Sequence, residues 1–318
     1  MSNTVTHADE TQAAVADLRH ELARADVAVA GVAPVLSHLL SSSGQALVSE
    51  DLVARMRGML GNLAIQILRT EAEVSGGSRQ LELSVTDELA GKLAGSSTLV
   101  SHCYAIAMES QLAEQLEQTH GIDQVLTPLL QELIASPDEN MAELAMGAMT
   151  AQARFVQVQR RMNLPLAELP AELFHVTLAQ WSAMRGDAES IQRERVLQVL
   201  RGGYDESSSR LGMLTRLIGS LGHGLRSAID LEHAGFALFV SGLARASKQS
   251  RELAVLSCHE RQATRLALAL RAAGLKPEEM RKQFLLIQSD LAMPRGADAI
   301  SQERALSLIA GTPADRVG

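Results

Sequence analysis

The sequence predicts an all-α fold of about twelve helices, arranged as stacked helical hairpins or as an irregular helical bundle. Aromatic residues make up only 3% of the chain and hydrophobic residues 46%, so the core must come from Ala, Leu, Val, Ile and Met. Small and unbranched residues favour helices, whereas aromatic and β-branched residues favour strands. Almost every segment also repeats its apolar residues with the 3.6-residue period of a helix.

The first part of the chain predicts amphipathic helices. The first helix runs from about 9 to 40, with a break expected at Gly31 or Pro34. Ser49 is predicted as the N-cap of a second helix, at 52–74, which has one apolar face made of Leu52, Met56, Leu60, Leu63 and Ile67. Residues 79–85 alternate weakly and suit a linker or a helix edge. Helices follow at about 86–95, 98–119 and 123–135.

The remaining chain continues the helical pattern. The run Ser136-Pro137-Asp138-Glu139 predicts a capping box with Ser136 as the cap, which starts a helix ending near Met162. Pro170 opens the helix that contains Trp181. Further helices are predicted at about 188–201, 206–219, 225–246, 250–272, 277–287 and 300–310.

Charge divides the chain after Thr150. Residues 1–150 hold 20 Asp+Glu against 7 Lys+Arg, a net charge of −13, and residues 151–318 hold 17 against 22, a net charge of +5; the sum is the −8 of the whole chain. Opposite fields attract within a chain or between chains. The sequence therefore predicts an acidic helical half, 1–150, and a mildly basic helical half, 151–318, with a boundary between 150 and 170.

The charge division indicates contacts, and no catalytic, metal or phosphate-binding motif stands out, so the sequence favours a non-enzymatic protein-interaction scaffold or regulator in the bacterial cytoplasm. Cys103 and Cys258 form no CxxC pair and indicate a reducing compartment. The apolar run at 234–244 suits a buried helix and is too short to span a membrane, and the polar first 21 residues do not resemble a secretory signal. Arginine outnumbers lysine 25 to 4, a bias typical of GC-rich bacterial genomes. No cofactor is expected, and the expected partner is another protein or a second copy in a homo-oligomer.

Arginines and one tryptophan are the candidate interaction residues. Arg154, Arg160 and Arg161 form a basic cluster that continues further on with Arg193, Arg195 and Arg201 and could reach phosphates. Phe155 is the one aromatic residue interleaved with it, however, and the whole protein is acidic. Nucleic-acid binding by charge needs a stronger patch, so none is expected, and contact with the acidic half, within the chain or between subunits, is the better use. Trp181 lies on an apolar helical face and is expected to be buried; on the surface it would be an anchor for a partner.

Two stretches resemble known helical repeats. The helical pair at 123–155 resembles a HEAT-type hairpin, which needs a neighbour on each side. The stretch Leu266–Leu275, followed by Phe284-Leu285-Leu286, is similar to the closing segment of an alphaproteobacterial HEAT-like helical-repeat family, a domain of unknown function. The resemblance implies a right-handed helical stack with an interaction role and no catalytic residues.

The surroundings of His223 predict the alternative function, a phosphorelay protein or a pseudo-histidine-kinase dimerisation module. The run from Ser220 to Ile229 resembles the phosphoacceptor box of sensor histidine kinases, with His223 and Arg226 in matching places. The phosphoryl chemistry needs an exposed imidazole on a dimerising helix and a neighbouring carboxylate, where this chain has Gly224. The chain also lacks a glycine-rich nucleotide site, so His223 would relay a phosphoryl group rather than acquire one from ATP.

A third and less favoured hypothesis is a helical metal-carboxylate protein. Glu172-x-x-His175 has the spacing of carboxylate-bridged di-iron bundles, and Asp230-x-x-His233 is a near relative, because residues i and i+3 project from one face of a helix. A complete site needs two Glu-x-x-His motifs and two further inward Glu residues. Surface or helix-end pairs are therefore the simpler interpretation.

Overall fold

The computed structural model describes residues 2–41, 50–76, 82–185 and 190–311, and all regular structure in these ranges is helical. No strand occurs within them, which confirms the predicted all-α class. The α-helices of the described ranges, α1 to α14 in chain order, are Ser2–Ser41, Glu50–Val74, Leu83–Ala94, Ser97–His120, Pro128–Ile134, Glu139–Gln159, Ala171–Arg185, Ser190–Gly202, Arg210–Ser220, Leu231–Ser247, Arg251–Ser257, Ala263–Ala272, Pro277–Ile287 and Gln302–Ala310. Short 3-10 helices lie at Leu166–Glu168, Glu206–Ser208, Gly222–Ile229 and Glu260–Gln262.

Helix α1 continues through Gly31 and Pro34, where a break was predicted. A proline inside a helix removes one backbone hydrogen bond and bends the helix, and neither effect has to end a helix of this length. The predicted cap Ser49 and residues 79–81 of the predicted linker lie outside the described residues. The end of that linker belongs to α3, which begins at Leu83.

Contacts group the chain into two compact units, each of which combines acidic and basic segments of the sequence. Unit 1 comprises Met1–Gly31, Met108–Met149 and Leu214–Gly318, and unit 2 comprises Val32–Ala107 and Thr150–Met213. Unit 1 holds 23 Asp+Glu against 16 Lys+Arg, a net charge of −7, and unit 2 holds 14 against 13, a net charge of −1; together these are the 37 and 29 of the whole chain. Packing thus distributes charge more evenly than the division at 1–150 and 151–318, because each unit takes residues from both halves.

Helices α10 and α12 form the centre of unit 1. α12 contacts α10, α11, α13 and α14, and α10 also contacts α5, α11 and the 3-10 helix that precedes it. Residues 266–270 of α12, which are all Leu or Ala, are fully buried, as expected of a helical stretch that is apolar on all sides. The run at 234–244, predicted as a buried helix, forms the body of α10.

The first part of α1 binds the start of α12 through buried polar groups of unit 1. Arg265 is fully buried and pairs with Asp26, which is 4% exposed. Gln262 donates through Nε2 to the carbonyl oxygen of Ala25 at 3.0 Å. A buried charge is tolerated only when a partner compensates it, so the ion pair fixes the position of α1 on α12.

Helix α2 organises unit 2. It packs against α3 and α8, and its predicted apolar face is confirmed, since the exposed fraction does not exceed 4% at any of Leu52, Met56, Leu60, Leu63 and Ile67. The same helix also carries amide side chains that hold the connector after α6. Gln66 donates to the carbonyl oxygen of Leu164 at 2.9 Å and accepts from the Leu166 N–H at 2.9 Å. These hydrogen bonds fix the chain that leads into α7.

The cap of α6 is Asp138, and the prediction of Ser136 as the cap is wrong. Asp138 Oδ1 accepts from the backbone N–H groups of Asn140 at 3.0 Å and Met141 at 3.4 Å, and the helix begins at Glu139. Ser136 Oγ instead accepts from the Asp138 N–H at 3.2 Å, outside the first turn. A charged carboxylate gains more than a hydroxyl from the partial positive charge at a helix N-terminus, which explains the choice.

Replacing Asp138 with Ala is expected to lower the free energy of unfolding by about 1 kcal/mol, because the first turn of α6 loses the acceptor for its N–H groups. Ser136→Ala is the matched control and is expected to stay within about 0.5 kcal/mol. Denaturant titration followed by far-ultraviolet circular dichroism measures both variants. A larger loss for Ser136→Ala than for Asp138→Ala would restore Ser136 as the cap.

Candidate protein-interaction site

Ion pairs inside each unit join an acid from the first half of the chain to a base from the second. In unit 1, Glu109 is 2% exposed and accepts two hydrogen bonds from Arg251, at 2.7 and 2.6 Å. Burial lowers the pKa of Arg251, but the charge and the hydrogen bonds of Glu109 raise it above its ordinary value. In unit 2, Arg185 pairs with Glu71 at 2.6 Å. Attraction between the acidic and basic halves therefore acts within the units.

Trp181 belongs to the interior of unit 2. Its side chain is 1% exposed, and the indole Nε1 donates to Glu71 Oε2 at 3.4 Å. Arg185 donates to the same carboxylate oxygen. The prediction that Trp181 is buried is confirmed, and the alternative of a surface anchor is wrong, because a partner does not reach a side chain so deep in the core.

Arg154, Arg160 and Arg161 are exposed, at the end of α6 and in the turn that follows it. None of the acidic side chains that the structure describes forms an ion pair with them. Phe155 is buried, and its ring lies 3.5 Å from the guanidinium carbon of Arg210. The cluster therefore adds positive charge to the surface of unit 2 and offers no aromatic side chain on which a nucleic-acid base would stack.

Helix α8 presents an outward face whose arginine, Arg195, was predicted as part of the basic cluster but whose apolar residues were not predicted to be exposed. Val196 and Leu197 are buried, 0% and 7% exposed, where α8 packs in unit 2. Ile191 is 74% exposed, Val199 is 54% exposed, and Arg195 between them is also exposed. Residues i, i+4 and i+8 lie on one face of a helix. Two aliphatic side chains and one guanidinium group thus form a single stripe, which we call the α8 stripe.

The composition of α8 contains the signal for this stripe. Val196 and Leu197 fill the buried face of the helix, and the aliphatic residues Ile191 and Val199 fall on the opposite side, where an amphipathic helix ordinarily carries polar residues. Between residues 191 and 202 the helix has three Arg against one Glu, a net charge of +2. A helical projection of 190–202 would have separated the two apolar faces, but only the packing identifies which one is buried.

His223 is exposed and lies in the 3-10 helix Gly222–Ile229, not on an α-helix. Gly222, with φ +51°, separates this segment from α9. Arg226, which occupies the arginine position of the kinase-like box, pairs with Glu279, and its hydrogen bond lowers the pKa of that carboxyl group. The structure therefore brings Arg226 to α13 and leaves the His223 imidazole accessible to solvent.

The two helical metal-ligand pairs lie in different units, and each is described in its own unit. Glu172 and His175 are exposed on α7 of unit 2. In unit 1, His233 Nε2 is 3.0 Å from Glu132 Oε1, and Asp230 lies 3.5 Å from the ammonium group of Lys282. In the part of the chain that the structure describes, no group of three His, Cys, Asp or Glu side chains is placed to hold a metal ion.

Both cysteines are buried thiols. Burial raises the pKa of Cys103 to about 12, and it raises the pKa of Cys258 to about 12 against a weaker lowering by the hydrogen bond with Ser257. A thiol with this pKa is protonated at neutral pH and is a poor nucleophile. The cysteines therefore act as small apolar core residues.

The chain matches no family model, no curated protein and no solved structure. Across the described ranges, each helix is either too short or too polar to cross a lipid bilayer.

Proposed function

We propose that the protein is a non-enzymatic interaction scaffold or regulator of the bacterial cytoplasm, and that the α8 stripe binds a protein partner. The observation that carries the proposal is the exposure of Ile191 and Val199 beside Arg195 on one helix face. The buried core of an interface is more apolar than the rest of the protein surface, and arginine is enriched in interfaces. An outward stripe of this kind suits the helix-in-groove mode of recognition, in which the apolar anchors of a helix lie on one of its faces.

Charge selects the chemistry of the partner. The described part of α8 has a net charge of +2, and Arg154, Arg160 and Arg161 add exposed positive charge to the same unit. An acidic surface with an apolar groove complements such a helix and is steered toward it in solution. We therefore commit to an acidic and apolar surface of another protein as the occupant, with a second copy of the chain as the competing outcome.

Co-purification with matched variants tests the α8 stripe. The tagged full chain is captured at low salt, and the double variant Ile191→Ser/Val199→Ser is compared with Val27→Ser, a control whose valine is 74% exposed in unit 1. The proposal expects one protein that is retained by wild type and by the control, and at least tenfold depleted from the double variant. Equal retention by all three forms would overturn it.

Salt and mass identify the occupant. Raising the salt concentration should release the partner, because exposed charges are screened over roughly 8 Å at physiological ionic strength. The sedimentation mass of purified protein is measured in parallel. An oligomer that dissociates in the Ile191→Ser/Val199→Ser variant would assign the α8 stripe to a second copy and overturn the partner assignment.

Phosphoryl relay by His223 is the second candidate, and the solvent exposure of its imidazole is the observation in its favour. Incubation of the chain with phosphorylated receiver domains tests it by the formation of an acid-labile phosphoryl group. Gly224 supplies no carboxylate to draw the proton from the imidazole, so we expect no label. Stoichiometric label on wild type that is absent from His223→Gln would place the relay function ahead of the interaction function.

A further inference from the structure

The connector between α13 and α14 forms one wall of a groove in unit 1. The groove has a volume of about 470 Å³, within the range of about 300–1,000 Å³ typical of ligand sites. Phe284 and Leu285 of α13 line it on one side, and Leu291, Met293 and Pro294 of the connector line it on the other. Two arginines, Arg281 and Arg295, and one aspartate, Asp298, also line it.

The connector is held in place although it contains no regular helix. At its start, Gln288 donates through Nε2 to the carbonyl oxygen of His259 at 2.9 Å, and near its end the carbonyl oxygen of Ile300 accepts from Arg271 Nε at 2.6 Å. In between, Arg281 pairs with Asp298 at 2.6 Å. Connections of this length without helix or strand are uncommon and usually functional. The wall of the groove is therefore formed before a ligand arrives.

A glycine of the connector fixes its middle against α1. Gly296 has φ +79°, a left-handed conformation that side chains rarely adopt. A Cβ atom at this position would lie 2.7 Å from the Cβ of Ala14, so the connector passes close to the Ala14 side chain of α1. The connector is thereby attached to α1 as well as to α13, which limits its freedom further.

The held connector exposes apolar side chains to water. Leu285 is 55% exposed and Leu291 is 37% exposed, and Ala292 beside it is exposed as well. Removing their apolar surface from water by binding a partner would be favourable. A rigid segment that keeps several apolar groups on one exposed wall is typical of a binding surface.

The charged residues that line the groove are two arginines and one aspartate. Arg281 is partly neutralised by Asp298, whereas Arg295 is exposed and forms no ion pair with the acidic side chains that the structure describes. We infer that this groove binds a short segment of a partner protein in which a carboxylate side chain adjoins one or two leucine-like side chains. The carboxylate would pair with Arg295, and the apolar side chains would cover Leu285 and Leu291. This site is separate from the α8 stripe and lies in the other unit.

Fluorescence anisotropy with a defined probe tests the groove. The probe is the fluorescein-labelled peptide Gly-Asp-Leu-Leu-Asp-Gly with an amidated end, and its control replaces both Asp with Asn. The full chain is compared with Leu291→Ser, with Arg295→Gln and with Arg304→Gln, a control arginine exposed on α14 outside the groove. We expect the Asp peptide to bind saturably to wild type and to Arg304→Gln. Its binding to Leu291→Ser and to Arg295→Gln should be at least tenfold weaker, and so should the binding of the Asn peptide to wild type.

The outcomes separate this inference from the proposed function. The Ile191→Ser/Val199→Ser variant should bind the peptide as wild type does, so a failure of the α8 stripe leaves the groove intact. Absence of saturable binding to wild type, or equal binding to Leu291→Ser and Arg295→Gln, would overturn the inference. An oligomer of the free protein that dissociates in Leu291→Ser would also overturn it, because a second copy would then occupy the groove.

Discussion

The variant Glu109→Gln is expected to lower the free energy of unfolding by about 3 kcal/mol, the low end of the range for breaking a buried ion pair. Gln has the shape of Glu but no charge, so the guanidinium group of Arg251 stays in unit 1 without its counter-charge. The Arg251 guanidinium group donates two hydrogen bonds to Glu109 and one to Ser241, and the Arg251 side chain is only 17% exposed. Because water still reaches part of Arg251, its unpaired charge costs less than a fully buried one, so we expect the low end of this energy range.

The double variant Glu109→Leu/Arg251→Met is expected to regain most of the lost stability. Replacing both members of a buried pair with apolar groups of similar volume is often neutral, because no charge remains to be desolvated. Arg226→Gln is the control, since its pair with Glu279 is largely exposed and such pairs contribute about 0–1 kcal/mol. Denaturant titration with comparison of the slopes measures all three. A double variant less stable than Glu109→Gln would show that the loss comes from packing rather than from the unpaired charge.

Local periodicity predicted the features of the fold that depend on neighbours in sequence. The apolar face of α2 is buried as expected, and Trp181 is interior because its helix places it on an apolar side. The buried run of α10 also follows from composition alone. The predicted cap of α6 was two residues too early, at Ser136 instead of Asp138. Serine and aspartate are both common N-cap residues, so only the geometry of the turn selects Asp138.

Burial of charge was not predictable from the sequence. Arg210, Arg251 and Arg265 look like the other 22 arginines of the chain, yet each lies largely inside a unit. What distinguishes Arg251 and Arg265 is an acid more than one hundred residues away, Glu109 or Asp26. A charge count along the chain detects the imbalance of the halves, but it does not reveal which pairs form.

The candidate interaction surfaces depend equally on tertiary structure. The α8 stripe is recognised as the exposed one of two aliphatic faces only when the packing of α8 against α2 is known. The groove beside α13 arises from a connector that the sequence marks only by its lack of helical period. The connector is held by contacts with other elements: Ile300 accepts from Arg271 of α12, Gln288 donates to His259, and Asp298 pairs with Arg281 of α13. Long-range contacts therefore determine the sites, whereas short-range patterns determine the helices.

Gly235→Ala is expected to lower the free energy of unfolding of unit 1 by more than about 2 kcal/mol. Gly235 interrupts α10 with φ +71° and ψ 166°, a conformation open almost only to glycine, and forcing another residue into it costs about 1–3 kcal/mol. An added Cβ would lie 2.2 Å from Thr127 Cγ2 and 3.3 Å from the carbonyl oxygen of Asp123. Overpacking of this kind costs a further 1–3 kcal/mol or so.

A second substitution separates the two causes. Thr127 Oγ1 caps α5 by accepting from the Leu130 N–H at 3.4 Å, so Thr127→Ser keeps the cap and removes the methyl group that the new Cβ would strike. In the double variant Gly235→Ala/Thr127→Ser the steric cost should fall and the backbone cost should remain, which appears as a favourable coupling energy of about 1–3 kcal/mol in a double-mutant cycle.

Gly61→Ala is the control, because Gly61 lies within α2 with open space around its Cβ position, and the change should stabilise by up to about 1 kcal/mol. Calorimetry measures the free energy of unfolding of the four variants. Equal changes for Gly235→Ala and Gly61→Ala would mean that α10 is an ordinary helix at residue 235. A loss at Gly235 without coupling to Thr127 would mean that the backbone conformation alone, and not the contact with α5, requires glycine there.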